Sequence, residues 1–216
     1  MQALIFDMDG VIVDSELHWK SVEGFFLQSL VPAWSSADQG KIIGLSQRSL
    51  YDMLMGEYGL KLSRVRFGEL YEEMASDIYR NRVSLMDGFA ELVGELNARG
   101  VPVALASSSP VSWINIVVDR FDLRGRFQVI VSADELNGEG KPSPAIYLRA
   151  AERLGVDPRG CIAIEDSTNG VLSARRAGMF CIGFRNGFNE EQDLAEADAL
   201  IESLTELDYP TLQRLL

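Results

Sequence analysis

Short, uninterrupted apolar runs recur at residues 3–6, 101–106, 129–131, 161–164 and 180–184. Each has the length of a strand and lacks the alternation of a half-exposed one, so each predicts a strand buried on both faces. Between them, apolar positions at helical spacing predict helices over 89–98, 111–121, 144–154 and 168–177. The last three open near Pro or Thr, and Gly100, Gly155 and Gly178 close several of the set. Strands alternating with helices imply an α/β fold with a parallel sheet covered on both faces.

Residues 15–85 break this rhythm. Helical patterns run over 19–30, 49–58 and 65–82 with no strand between them, and glycines at 40, 44, 56 and 59 mark the turns. The pattern predicts a small helical cap, 15–85, inserted after the first strand of a core domain formed by 1–14 and 86–216. No internal repeat or low-complexity tract interrupts either part.

A length of 216 residues suits one main domain with a modest insertion, and 47% hydrophobic with 24% charged residues predicts a folded rather than a disordered chain. The net charge of -12 argues against nucleic acid and anionic membranes as partners, since both attract basic clusters. Residues 1–14 carry no basic leader, and Asp7 and Asp9 cut their apolar run, so neither a signal peptide nor a membrane span is expected. A cytoplasmic monomer is the expectation. Cys161 and Cys181 lie at or within strand-like runs and are expected as buried, reduced thiols. His18 is the only histidine. It leaves no multi-histidine zinc site and makes a Ser-His-Asp triad depend on one residue.

Chemistry must therefore run on carboxylates. In open parallel sheets, ligands bind beyond the carboxyl ends of the strands. There the sequence reads Phe6-Asp7-Met8-Asp9-Gly10, Ala106-Ser107-Ser108-Ser109 and Ile164-Glu165-Asp166-Ser167. If these strands are neighbours, Asp7, Asp9, Glu165 and Asp166 share one pocket. Two such anions about 4 Å apart repel by roughly 4 kcal/mol at an effective dielectric of about 20. A cation is needed, and hard oxygen ligands without thiolate or imidazole favour Mg2+, which takes phosphate oxygens as further ligands. Lys141, between a turn and a helix, supplies a compact charge for a phosphate. Ser107 and Ser108 supply hydroxyls, and the helix opening near Pro110 supplies backbone N–H groups.

Each motif alone has a plainer reading. Asp-x-Asp-Gly is commonly a solvated turn, and its spacing here does not fit an EF-hand; a serine run or Glu-Asp pair commonly caps a helix; Lys-Pro is commonly a surface turn. Their joint occurrence, in order and each beside an apolar run, carries the functional reading.

These segments, Asp7-Met8-Asp9-Gly10-Val11, Ser107 after Ala104-Leu105-Ala106, Lys141-Pro142 and Glu165-Asp166-Ser167-Thr168-Asn169-Gly170, resemble the four signatures of the haloacid dehalogenase-like superfamily. Within it, the chain is similar to the beta-phosphoglucomutase-like sugar phosphatases along nearly its whole length. The resemblance implies a Rossmann-like core with a helical cap. It also implies Asp7 as nucleophile, Asp9 as general acid and base, and Ser107 and Lys141 as phosphate holders. Mg2+ would be bound by Asp7, Asp166 and the backbone carbonyl of Asp9, with Glu165 at or next to the metal. A small phosphate ester, a sugar phosphate above all, is the implied substrate. Asp9 argues against dehalogenation, which needs neither a second acid nor magnesium.

Water as acceptor gives a phosphatase, and a phosphorylated sugar as acceptor gives a mutase. Trp19 stands where the mutases carry histidine, which favours hydrolysis; hinge packing is its plainer role. Ser46 and Arg48, in Gly44-Leu45-Ser46-Gln47-Arg48-Ser49, resemble the family's substrate loop, with the arginine one place late; Arg48 is equally readable as a solvated helix charge. Ala145 stands where aspartate is usual, which removes a partner expected to orient Lys141. A fold retained for binding without turnover is the alternative of a different class, and the presence of both Asp7 and Asp9 argues against it.

Overall fold

The computed structural model describes residues 1–42, 45, 47–136 and 138–216. The chain divides into two compact units, Met1–Glu16 with Ser84–Leu216, and Leu17–Val83. The strands are β1 (Ala3–Phe6), β2 (Val103–Ser107), β3 (Val129–Ser132), β4 (Cys161–Glu165), β5 (Phe180–Phe184) and β6 (Ala199–Ile201). The α-helices are α1 (Ser15–Leu30), α2 (Gln47–Tyr58), α3 (Arg64–Asp77), α4 (Phe89–Ala98), α5 (Val111–Arg120), α6 (Ala145–Leu154), α7 (Thr168–Arg176) and α8 (Tyr209–Arg214).

In the first unit the six strands form one sheet in the order β3-β2-β1-β4-β5-β6, and every pairing is parallel, a Rossmann-like arrangement. Every side chain of β1, β2 and β4 is buried, which is why these strands read as unbroken runs. The core on one face joins Ile5, Ala104, Val131 and Ala163 to Tyr147 of α6 and Val171 of α7. Phe6 of β1 is in register with Leu105 of β2 and Ile164 of β4. The residues that follow these strands therefore emerge at one edge, at the point where the strand order reverses about β1, the place where such sheets bind ligands.

Several boundaries differ from those read in the sequence. β2 opens at Val103 rather than 101, because the chain after α4 turns back at Gly100 and Val101 donates its N–H to Leu96 O (3.0 Å). The helix expected over 65–82 ends at Asp77 and passes into a π turn over Ile78–Arg82, closed by Val83 N–H to Ile78 O at 3.2 Å. β6 and α8 were not expected. The first unit extends to Glu16 and resumes at Ser84 because Asp14 and Ser84 bond twice, Asp14 N to Ser84 O (3.2 Å) and Ser84 N to Asp14 Oδ1 (2.6 Å).

The second unit is built by α1 from Leu17 onward, a 3-10 turn at Ser36–Ile42, α2, α3 and the π turn. Leu27, Trp34, Leu50, Leu54 and Phe67 form its buried core. Ser63 caps α3 by accepting from Arg66 N at 3.2 Å. No helix among the described residues is long and apolar enough to cross a membrane. Cys161 and Cys181 are buried and free, and burial pushes the Cys161 thiol up to about 11.

Candidate active site

Asp7 leaves the end of β1 with its N–H bonded to Ile164 O of the neighbouring strand at 3.1 Å. Its carboxylate meets Lys141, whose Nζ lies 2.6 Å from Asp7 Oδ1 and 2.5 Å from Glu165 Oε1. The Lys141 side chain is only 6% exposed and that of Glu165 is 0% exposed, so these ion pairs are shielded from water. The orienting partner that Ala145 does not offer is thus supplied by Glu165. Asp166 follows β4, and a carboxylate oxygen from each of Asp7, Glu165 and Asp166 lies within 4.8 Å of the others.

Two asparagines beyond β5 fix Asp166. Asn186 Nδ2 donates to Asp166 Oδ2 (3.0 Å) and to Gly10 O (2.9 Å), and Asn189 Nδ2 donates to Asp166 O (2.7 Å) and Phe184 O (2.8 Å). Two glycines are required by close approach. A Cβ on Gly10, whose φ is 72°, would overlap the Asp166 carboxylate, and one on Gly170 would overlap that of Glu165. Gly170 N also donates to the Ser167 hydroxyl (3.0 Å), which caps α7 and holds that helix end against the site.

The carboxylate of Asp9 stands outside the three-carboxylate cluster, with both oxygens engaged. Ser15 Oγ donates to Oδ1 at 2.7 Å and Ser109 Oγ to Oδ2 at 2.6 Å. The expectation that all four carboxylates share one metal pocket is thus corrected: Ser15 and Ser109 draw the Asp9 carboxylate aside, and only its backbone carbonyl, the contact the resemblance implied, is left as a candidate ligand. Ser107 is fully buried at the end of β2 and accepts from Ser109 N (3.0 Å), which leaves its O–H to donate; Ser108 is exposed. Ser132 of β3 steadies this turn by donating to Ser109 O at 2.8 Å.

In the second unit Trp19 is packed among tyrosines, stacked on Tyr71 at 5.9 Å and donating Nε1 to Tyr79 OH at 3.2 Å. Arg48 is exposed in the first turn of α2, and Ser46 lies outside the described residues. Sequence reasoning missed Ser15, Ser109, Asn186, Asn189 and Tyr147. Only Ser109 and Asn186 carried a signal, as polar residues shortly after apolar runs.

Burial pushes Asp7 up to about 8, with Glu165 and Asp9 adding to the rise and Lys141 opposing it. Burial, then Asp7, Glu165 and Glu16, raise Asp166 well above the usual carboxylate range, again against Lys141. Burial disfavours the charged lysine, yet Asp7 and Glu165 outweigh it and hold Lys141 above its ordinary value. A single ammonium thus leaves the buried carboxylates under-neutralised. The hard-oxygen donor set and the excess negative charge fit a divalent magnesium ion.

A sequence profile described as haloacid dehalogenase-like hydrolase matches residues 4–184. The chain is 34% identical to hexitol phosphatase B of Escherichia coli (strain K12), over 95% of this chain and 93% of that protein. It is 31% identical to the phosphorylated carbohydrates phosphatase of Thermotoga maritima, over 93% of each chain. Among solved structures, CbbY from Rhodobacter sphaeroides in complex with phosphate superposes with a TM-score of 0.84 at 25% identity over 99% of both chains.

Proposed function

Because this chain belongs to the haloacid dehalogenase-like hydrolase family, we propose that it is a magnesium-dependent phosphatase of a small phosphorylated carbohydrate, working through an aspartyl-phosphate. The observation that carries this reading is the placement of Lys141 Nζ within 2.6 Å of Asp7 Oδ1, beside the cluster of Asp7, Glu165 and Asp166. The carbohydrate class is supported by the two relatives named above.

Asp7 attacks phosphorus with a carboxylate oxygen as the ester P–O bond breaks, and Asp9 gives its proton to the departing alkoxide. Water then attacks the same phosphorus, Asp9 takes up its proton, and the bond to Asp7 breaks to release inorganic phosphate. Ser15 and Ser109 hold the Asp9 carboxyl in place through both steps. Lys141, the Ser107 hydroxyl and Ser108 engage phosphoryl oxygens, and Lys141 offsets the charge that grows on them. Asp7, Asp166, the Asp9 backbone carbonyl and Glu165 would hold magnesium, which when bound would supply further positive charge for the phosphoryl group. Trp19, Arg48 and Ser46 are proposed to sort substrates. A cytoplasmic location and action as a monomer complete the proposal.

The test is phosphate release from a panel of hexitol, sugar and nucleotide monophosphates, with and without Mg2+. The expected result is Mg2+-dependent release, greatest on polyol or sugar phosphates, with Asp7→Asn slowing it by on the order of 10³-fold or more. Isomerisation of a sugar monophosphate in the presence of a bisphosphate primer would make the chain a mutase. A folded wild type that binds Mg2+ but hydrolyses no ester would leave only a binding role.

A further inference from the structure

We propose that Tyr147 is a positioning residue for Lys141, acting through Glu165; this rests on the phosphatase reading above and assigns a role to a helix residue that none of the signature segments contains. Tyr147 lies in the first turn of α6, the helix that follows the Lys141 loop, and is fully buried. Its ring belongs to the core on one face of the sheet, together with Ala150, Ala163 and Val171. A buried phenol must still satisfy its hydroxyl. That of Tyr147 donates to Glu165 Oε1 at 2.5 Å, the same oxygen that receives Lys141 Nζ at 2.5 Å.

This sharing has consequences that follow from donor and acceptor capacity. A carboxylate oxygen has two lone-pair sites. With Tyr147 and Lys141 on Oε1, that oxygen is filled, while Oε2 faces the Ser167 hydroxyl at 3.3 Å. Glu165 is thereby fixed at both oxygens and cannot turn to follow a moving lysine. Lys141 has three N–H donors; one goes to Glu165 Oε1 and one to Asp7 Oδ1, which leaves the third for a phosphoryl oxygen. The Tyr147 ring also lies 5.4 Å from Nζ, within the range of a cation–π contact. Ring and hydroxyl together confine the ammonium to one place, beside the oxygen of Asp7. Without the hydroxyl, Oε1 regains a free lone pair and Glu165 the freedom to rotate, and the ammonium loses its fixed anchor.

The experiment compares wild type, Tyr147→Phe, Lys141→Ala and the double variant on p-nitrophenyl phosphate with Mg2+, alongside crystal structures of wild type and Tyr147→Phe. Tyr147→Phe keeps the core ring, so its thermal midpoint is expected to stay near that of wild type. Its kcat should fall about tenfold, the worth of one charge-assisted hydrogen bond, with KM changed by less than about twofold. In the Lys141→Ala background the same change should alter kcat by less than about twofold, because the group it positions is gone. In the crystal of Tyr147→Phe, Lys141 Nζ should no longer bridge Asp7 and Glu165.

A kcat equal to wild type, or equal losses in both backgrounds, overturns the inference and leaves Tyr147 as a core residue. Should Tyr147→Phe fold poorly, replacing Tyr147 with 3-fluorotyrosine, which keeps ring and hydroxyl, must restore kcat and the bridge; failure to do so overturns it equally. If wild type itself hydrolyses no phosphate ester, the functional reading fails, while the position of Lys141 in the two crystals still decides this one.

Discussion

Asp9 and Asp7 are two residues apart, yet their surroundings differ in kind. Asp7 faces an ammonium and two carboxylates, whereas Asp9 faces two hydroxyls, Ser15 Oγ at 2.7 Å and Ser109 Oγ at 2.6 Å. Ser109→Ala should therefore lower kcat by about tenfold with KM little changed, since it loosens the proton donor without touching phosphate binding; steady-state kinetics on the best substrate checks this. Gly10→Ala meets two obstacles, a φ of 72° and the Asp166 carboxylate in the space of the new Cβ. It should cost about 2 kcal/mol or more in stability and abolish turnover, as urea unfolding and phosphate release would show. The acids and Ser107 were legible because they follow buried strands as one ordered set, and Lys141 because it completes that set from the loop before α6; none was legible alone. Tyr147 was not legible, because in the sequence it is one more apolar position of an amphipathic helix, Ile146, Tyr147, Ala150 and Ala151. Its hydroxyl gains meaning only when β4 is placed beside it.

At the scale of elements, strands buried on both faces announce themselves, and β1, β4 and β5 lie where their apolar runs stand. β6 spans only Ala199–Ile201 with one buried residue, and α8 only Tyr209–Arg214, too short for periodicity to register. The π turn at Ile78–Arg82 was hidden for another reason: one extra residue in a turn barely shifts a 3.6-residue pattern. In α1, Glu23 is partly buried and accepts from Tyr71 OH at 2.7 Å and Gln39 Nε2 at 3.3 Å. Burial raises its carboxyl above the ordinary 4.5, with the Tyr71 bond opposing. An acid raised in the folded state favours folding most below the unfolded value and loses that contribution as pH rises through the folded value. Glu23→Gln keeps an acceptor for Tyr71 and removes the charge. It should raise the thermal midpoint at pH 7 by on the order of 3 °C, with the gap to wild type closing by about pH 4. Calorimetry of both proteins across that range tests the sign.

For the whole molecule, the alternation of strands and helices was enough to give a parallel sheet, while the order β3-β2-β1-β4-β5-β6 came only with the strand pairings. That order matters because it sets β1 between β2 and β4 and so gathers charge. A chain of net charge -12 buries Asp7, Glu165 and Asp166 together against one lysine. Folding must bring these anions close, and unfolding lets them separate, so a cation that binds only the folded site opposes unfolding by mass action. Free Mg2+ at about 100 times its dissociation constant should stabilise the native protein by about 2.7 kcal/mol relative to protein in EDTA. Asp166→Asn removes one ligand charge and relieves part of the repulsion while keeping a side-chain oxygen in place. It should therefore be at least as stable as wild type in EDTA, yet gain much less from Mg2+. Urea unfolding at matched ionic strength, with Na+ replacing Mg2+ in the control, separates this site effect from general screening of the surface charge. An equal Mg2+ gain in both proteins would move the ion away from Asp166 and with it the proposed centre.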